Sequence, residues 1–217
     1  MKKLAVVTIL AVWLALPVLT LAQDATPAPI RATPEVSLRP DQPVPIAGFD
    51  GFDGDLPAAA TLGDGWVVRT SGLAPPSDGP VRYVVEYASR QGDRVTVAVT
   101  PYGSVSAALD VYAATDELLD AWQGPLAQDD DELSRSDLAE LPDPDGCDRT
   151  SRVEGREAFT GYPVGATLCL SERQSAVVLV VASGVVRQGG EELRLHAASD
   201  VVMVRTLASL AGGATGG

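Results

Sequence analysis

The stretch "LPDPDGCDRT", residues 141–150, sets Asp143, Asp145 and Asp148 around a glycine and Cys147, one of two cysteines in the chain. Such residues serve a calcium loop, a catalytic acid cluster, or a turn that anchors a disulfide. An EF-hand-type loop needs oxygen ligands at alternating positions, a Gly that fixes the bend, and a closing bidentate Glu. Here the Gly comes one residue early, a Cys stands where a third ligand belongs, and no closing Glu follows. Zinc is served worse, because the chain has a single histidine, His196. An even pair of cysteines in an exported chain reads as a disulfide, so Cys147 and Cys169 are expected to be joined. The loop so closed predicts about 3 kcal/mol from lost unfolded-state entropy. Pro and Gly then make the turn, and the aspartates keep it wet. Asp50, Asp53 and Asp55 match no calcium loop either and read as turn residues. No metal, cofactor or catalytic residue is assigned.

Other chemistries close quickly. The only lysines are Lys2 and Lys3, inside the N-terminal apolar leader. Schiff-base chemistry, Ser-Lys catalysis, a phosphate-loop lysine and protein-kinase catalysis therefore lack their essential residue. A Ser-His-Asp triad would have to use His196, which falls just before an expected helix cap, and no G-x-S-x-G turn accompanies it. Gly63-Asp64-Gly65 precedes a strand instead of joining strand to helix, so it is no dinucleotide loop. Paired carboxylates stay open, although a glycosidase would want aromatic platforms, and past the leader only Trp66 and Trp122 remain as tryptophans.

Without its leader the chain carries 14 Arg against 29 Asp and Glu. A surface so acidic repels phosphate backbones and anionic lipid, which argues against nucleic-acid partners and peripheral membrane binding. The charge is concentrated at residues 116–148, where twelve acids face only Arg135, with Asp129, Asp130, Asp131 and Glu132 at the centre. This segment is either a solvated loop, which Arg149, Arg152 and Arg156 just after it would neutralise, or a surface that docks a cationic partner or binds cations weakly.

The elements around these residues are legible. Residues 4–22 form an apolar run after two lysines and end in small residues, the pattern of a cleaved signal peptide or, uncleaved, a membrane anchor. Both place the rest outside the cytoplasm, secreted or on the cell surface. Residues 23–45 hold six prolines and form an extended, disordered linker. One domain, 46–212, follows, with a loose tail at 213–217. Strands are expected at 65–70, 81–89 and 94–100, the last two as a hairpin with Val81, Tyr83, Val85 and Tyr87 on one face and Val95, Val97 and Val99 aligned opposite. An amphipathic helix follows, capped by Ser104 and closed by Gly124-Pro125, with Val105, Ala108, Leu109, Tyr112, Leu119 and Trp122 inward. Further strands fall at 149–159, 164–172 and 175–183, the last apolar on both faces as a central strand would be. Ser199 or Asp200 would cap a closing helix whose Met203, Val204, Leu207 and Leu210 face inward. The fold class is α+β: an antiparallel sheet of about 5–7 strands with two packed α-helices.

This order, from "GWVVRT" through "SVSAALDVYAATDELLDAW" to "ASDVVMVRTLASL", resembles the Mog1/PsbP-like sandwich over about residues 60–211. The resemblance lies in element order, with no functional motif to carry residue roles, and it implies an accessory or binding domain. The expectation is an extracytoplasmic, non-catalytic module that binds a protein or small ligand from a proline-rich tether. A carboxylate-dependent hydrolase and a calcium-dependent adhesion domain are the alternatives.

Overall fold

The computed structural model describes residues 38–49, 52, 54–74, 81–123, 133–156, 161–184, 187–188, 191–192 and 195–213. The expected signal peptide, residues 23–37 of the linker, Asp129, Asp130, Asp131 and Glu132, and tail residues 214–217 lie outside the described residues. In chain order the elements are β1 (Val44–Pro45), β2 (Asp55–Leu56), a 3-10 turn (Ala59–Leu62), β3 (Val67–Ala74), β4 (Arg82–Ala88) and β5 (Arg94–Pro101). Then come helices α1 (Val105–Gln123) and α2 (Arg135–Ala139), and strands β6 (Arg149–Arg156), β7 (Pro163–Ser171) and β8 (Ala176–Ser183). The short β9 (Arg187–Gln188) and β10 (Glu191–Glu192) precede α3 (Leu195–Gly213).

Six strands form one antiparallel sheet in the order β3-β4-β5-β8-β7-β6, while β1 pairs with β2 and β9 with β10. The fold is thus α+β. The expected hairpin is present: Tyr83, Val85 and Tyr87 lie opposite Val99, Val97 and Val95, all buried, but Val81, expected on the same face, falls before β4 and is 42% exposed. Alternation puts these six on one face, and burial of each valine is worth about 1.5–3 kcal/mol. Strand β8 is internal, and its neighbouring residues feed different cores. Val177, Leu179 and Val181 meet α1, with Val153, Ala166, Leu168 and Leu170. Val178 and Val180 point the other way, to the face on which Thr167 of β7 bonds to α3. A helix therefore covers each face, which is why this strand has no polar side.

Helix α1 begins as expected, with the Ser104 hydroxyl accepting from the Ala107 amide at 3.2 Å. Ala108 and Leu119 face the core, but Val105, expected inward, is 55% exposed. The side chain of Trp122 is outside the described residues. On α3, Met203, Leu207 and Leu210 are buried as expected, whereas Val204 is only half-buried and Val202 is buried in its stead.

Two boundaries move. The folded unit begins at Arg39, not residue 46, because Val44 is fully buried and pairs with Leu56. Helix α3 begins at Leu195, so neither Ser199 nor Asp200 is its cap. Its first turn is stabilised from another element, the His196 amide donating to Glu154 of β6 at 3.2 Å.

Candidate functional site

The cysteines are joined. Cys147 and Cys169 form a disulfide with their Cα atoms 5.5 Å apart, linking the turn before β6 to the middle of β7. Gly146 has φ +93°, the left-handed region that glycine enters at little cost, and the Cys147 amide closes the turn on the Pro144 carbonyl at 3.0 Å. Asp148 is a connector: its amide donates to the Leu170 carbonyl, and its carboxylate accepts from the Glu172 amide at 2.7 Å. Asp143 and Asp145 are exposed. "PDPDGCD" is thus a turn stapled to a strand, and one of its three acids is occupied by backbone. Such a bridge fits an oxidising, extracytoplasmic setting. Among the described residues, no helix is long and apolar enough to cross a membrane.

Around this turn lies an acidic face. Asp110, Glu117 and Asp120 of α1 are exposed, as are Asp137 of α2 and the Glu140 that follows it. Arg135 is drawn inward between the elements: it pairs with Asp116, with Asp120 at 2.7 Å, and donates to Ser151 of β6 at 2.9 Å. The one base of the segment is therefore spent holding α2 against α1 and β6. Burial first, and then Asp116 and Asp143, push the Tyr112 phenol up to about 12 against the opposing pull of Arg149 and Arg135. That shared influence places the Asp143 turn beside α1. Asp129, Asp130, Asp131 and Glu132, the expected centre of this face, lie outside the described residues.

A second polar cluster lies between β6, β7 and α3, and it holds the groups with most chemical potential. Arg152 and Glu154 alternate on β6 toward one face, with Thr167 opposite Arg152 in register. On α3, His196, Ser199 and Asp200 share a helical face at i, i+3 and i+4. The Arg152 side chain is 2% exposed; its Nε lies 3.0 Å from both Asp200 oxygens, and its Nη atoms donate to the Leu138 and Pro142 carbonyls at 3.4 and 2.8 Å. Thr167 donates to Asp200 at 2.6 Å and shares a 2.7 Å bond with Ser199, whose hydroxyl reaches the His196 carbonyl. Glu154, 3% exposed, accepts from the Leu133 amide at 2.6 Å, the His196 amide at 3.2 Å and the His196 ring Nδ1 at 2.9 Å. Burial pushes the Glu154 carboxyl up, but those hydrogen bonds, led by the ring's, and the imidazole charge outweigh it and hold the group below its ordinary value of 4.5.

The residue types are those of a Ser-His-acid site, but the geometry is not. Ser199 is fully buried and bonds to Thr167 and to backbone, while the described bond of the His196 ring is to Glu154. Among the described residues, no nucleophile bonds the His196 ring, which a triad requires. What the arrangement does is bind α3 to the sheet and the chain at 133–142 to its outer strand. Sequence reasoning placed His196 outside the helix, read Arg152 as a neutraliser of the acidic segment where it pairs instead with Asp200, and singled out neither Glu154 nor Thr167. Comparison of the chain with known protein families, with curated proteins and with solved structures finds no match in any of the three.

Proposed function

We propose that the chain is a non-catalytic, extracytoplasmic binding module that docks a cationic protein segment on the acidic face of α1, α2 and the Asp143 turn. The observation that carries this is the asymmetry of charge at that face. Its carboxylates stand exposed while Arg135 is turned inward. Exposed carboxylates that outnumber the exposed bases, of which Arg149 stands beside the turn, attract and orient an oppositely charged partner. The groups that could have served catalysis support the same reading, since Glu154, Asp200, Arg152 and His196 are engaged with one another or with backbone. The Mog1/PsbP-like element order implies an accessory or binding role as well, and two helices enclosing a six-stranded sheet suit such a sandwich.

The test uses an oligo-arginine peptide as probe and titration calorimetry at low and high salt. Glu117→Gln, Glu140→Gln and Asp143→Asn together remove three exposed charges without touching the partners of Arg135. Saturable binding by the parent, weakened about tenfold in the triple variant and lost at high salt, supports docking. Equal binding by parent and variant at low salt refutes it.

A further inference from the structure

The Glu154 carboxylate touches three donors and ties together two stretches that are remote in sequence. Leu133 lies 21 residues before it and His196 42 residues after it, yet the amides of both end on its two oxygens. Leu133 leads into α2, whose local cap is Ser134. His196 lies in the first turn of α3, which takes its cap from this carboxylate. Ionised, a carboxylate only accepts, and this site offers it only donors.

Protonation makes that fit fail. A neutral carboxyl must place one O–H, and in acid an imidazole donates from both nitrogens, so the described neighbours give the new proton no acceptor. The charged groups about Glu154 do not change this. His196 and, one turn further along α3, Asp200 come from the helix; of the two arginines flanking Glu154 on its face of β6, Arg152 is taken by Asp200 and Arg156 donates to the Gly161 carbonyl at 3.3 Å. On α2, Arg135 is turned to Asp116 and Asp120, and Asp137 to Ser134. β7 presents Gly165 in register with Glu154. We propose that Glu154 is a pH-operated clasp: ionised, it fastens the start of α3 and the entry to α2 onto the outer strand, and protonated, it lets both go together.

The sign follows from the direction of the shift. A carboxyl held below 4.5 in the fold contributes stability that is complete above that value and is lost as pH falls through the lower, folded one. Release is therefore an acid event. It is local, because the central strands β5 and β8 make no bond to this carboxylate in the described set. The clasp does not depend on the docking proposal and needs no partner to be observed.

The experiment is an amide titration of the full, nitrogen-15-labelled chain from pH 7 to pH 3, with exchange rates corrected for the intrinsic effect of pH. The Leu133 and His196 amides should follow one curve with a midpoint below 4.5, and lose protection together by at least about tenfold. Val97 and Val180 should keep theirs. In Glu154→Gln both amides should hold one position across the range. If that variant does not fold, His196→Lys serves, since an ammonium offers donors, no acceptor and no titration in this range, and the shared transition should persist in it. Separate midpoints for the two amides, a transition abolished in His196→Lys, or loss of Val97 and Val180 at the same pH would each overturn the clasp.

Discussion

Arg152 is the side chain whose replacement should cost the domain most. Arg152→Met keeps most of the aliphatic volume, so the cavity contribution is small. What disappears is the two-oxygen contact with Asp200 at 3.0 Å and the bonds to the Leu138 and Pro142 carbonyls. Breaking a buried ion pair by removing one partner costs about 3–5 kcal/mol, because the other charge is left behind. Asp200 is not fully stranded: its side chain is 23% exposed, and Thr167 still donates to it. Partial hydration places the expected loss near the lower bound, about 3 kcal/mol. Urea unfolding followed by circular dichroism measures it as a fall in midpoint at unchanged slope. Asp200→Asn in the same background should relieve the stranded charge, so the double variant should be more stable than the sum of the single losses predicts, by roughly 1–3 kcal/mol. A loss under about 1 kcal/mol from Arg152→Met, or strict additivity with Asp200→Asn, would refute the reasoning.

The staple and the leader give the remaining expectations. Reducing Cys147–Cys169, 22 residues apart, should lower the unfolding free energy by about 2–4 kcal/mol, read by urea titration with and without reductant; an unchanged midpoint in fully reduced protein would remove the staple's role. Mass spectrometry of chain from its native host should give a mature N-terminus at or near Gln23, as the Thr20-Leu21-Ala22 ending implies, whereas an intact Met1 in a membrane fraction would favour the anchor.

The sheet was legible where one face is apolar and the partner strand is close in sequence. Tyr83, Val85 and Tyr87 announce their face by alternation, and the turn at 89–93 delivers Val95, Val97 and Val99 to the same side. The disulfide was legible because two cysteines allow one pairing. Boundaries were less so. Val44 and Ile46 sit among prolines that signal an extended tether, and only the pairing of β1 with β2 shows that the folded unit has already begun. The start of α3 was missed for a related reason. Ser199 and Asp200 are good capping residues in isolation, but in the fold they lie inside the helix and bond to Thr167 and Arg152, partners remote in sequence.

The polar cluster beneath α3 has a signature of a different kind. A half-buried strand alternates apolar and polar, and "SRVEG" does so with Arg152 and Glu154 on what would pass for its wet side. "HAASD" puts His196, Ser199 and Asp200 on one helical stripe, opposite in polarity to what a packed helix should show its sheet. Each segment alone reads as surface. The two are complementary, however, in charge and hydrogen-bonding type: Arg152 meets Asp200, and Glu154 meets His196. They are separated by more than forty residues, so neither segment can specify the match without the other. Polar stripes with matched donors and acceptors on a strand and a helix are candidates for a buried network, and such networks fix how a helix sits on its sheet because an unpaired member costs so much. In this chain the pairing places α3 with its apolar stripe of Met203, Leu207 and Leu210 inward, so the polar match at the helix start and the apolar match along its remainder select the same orientation.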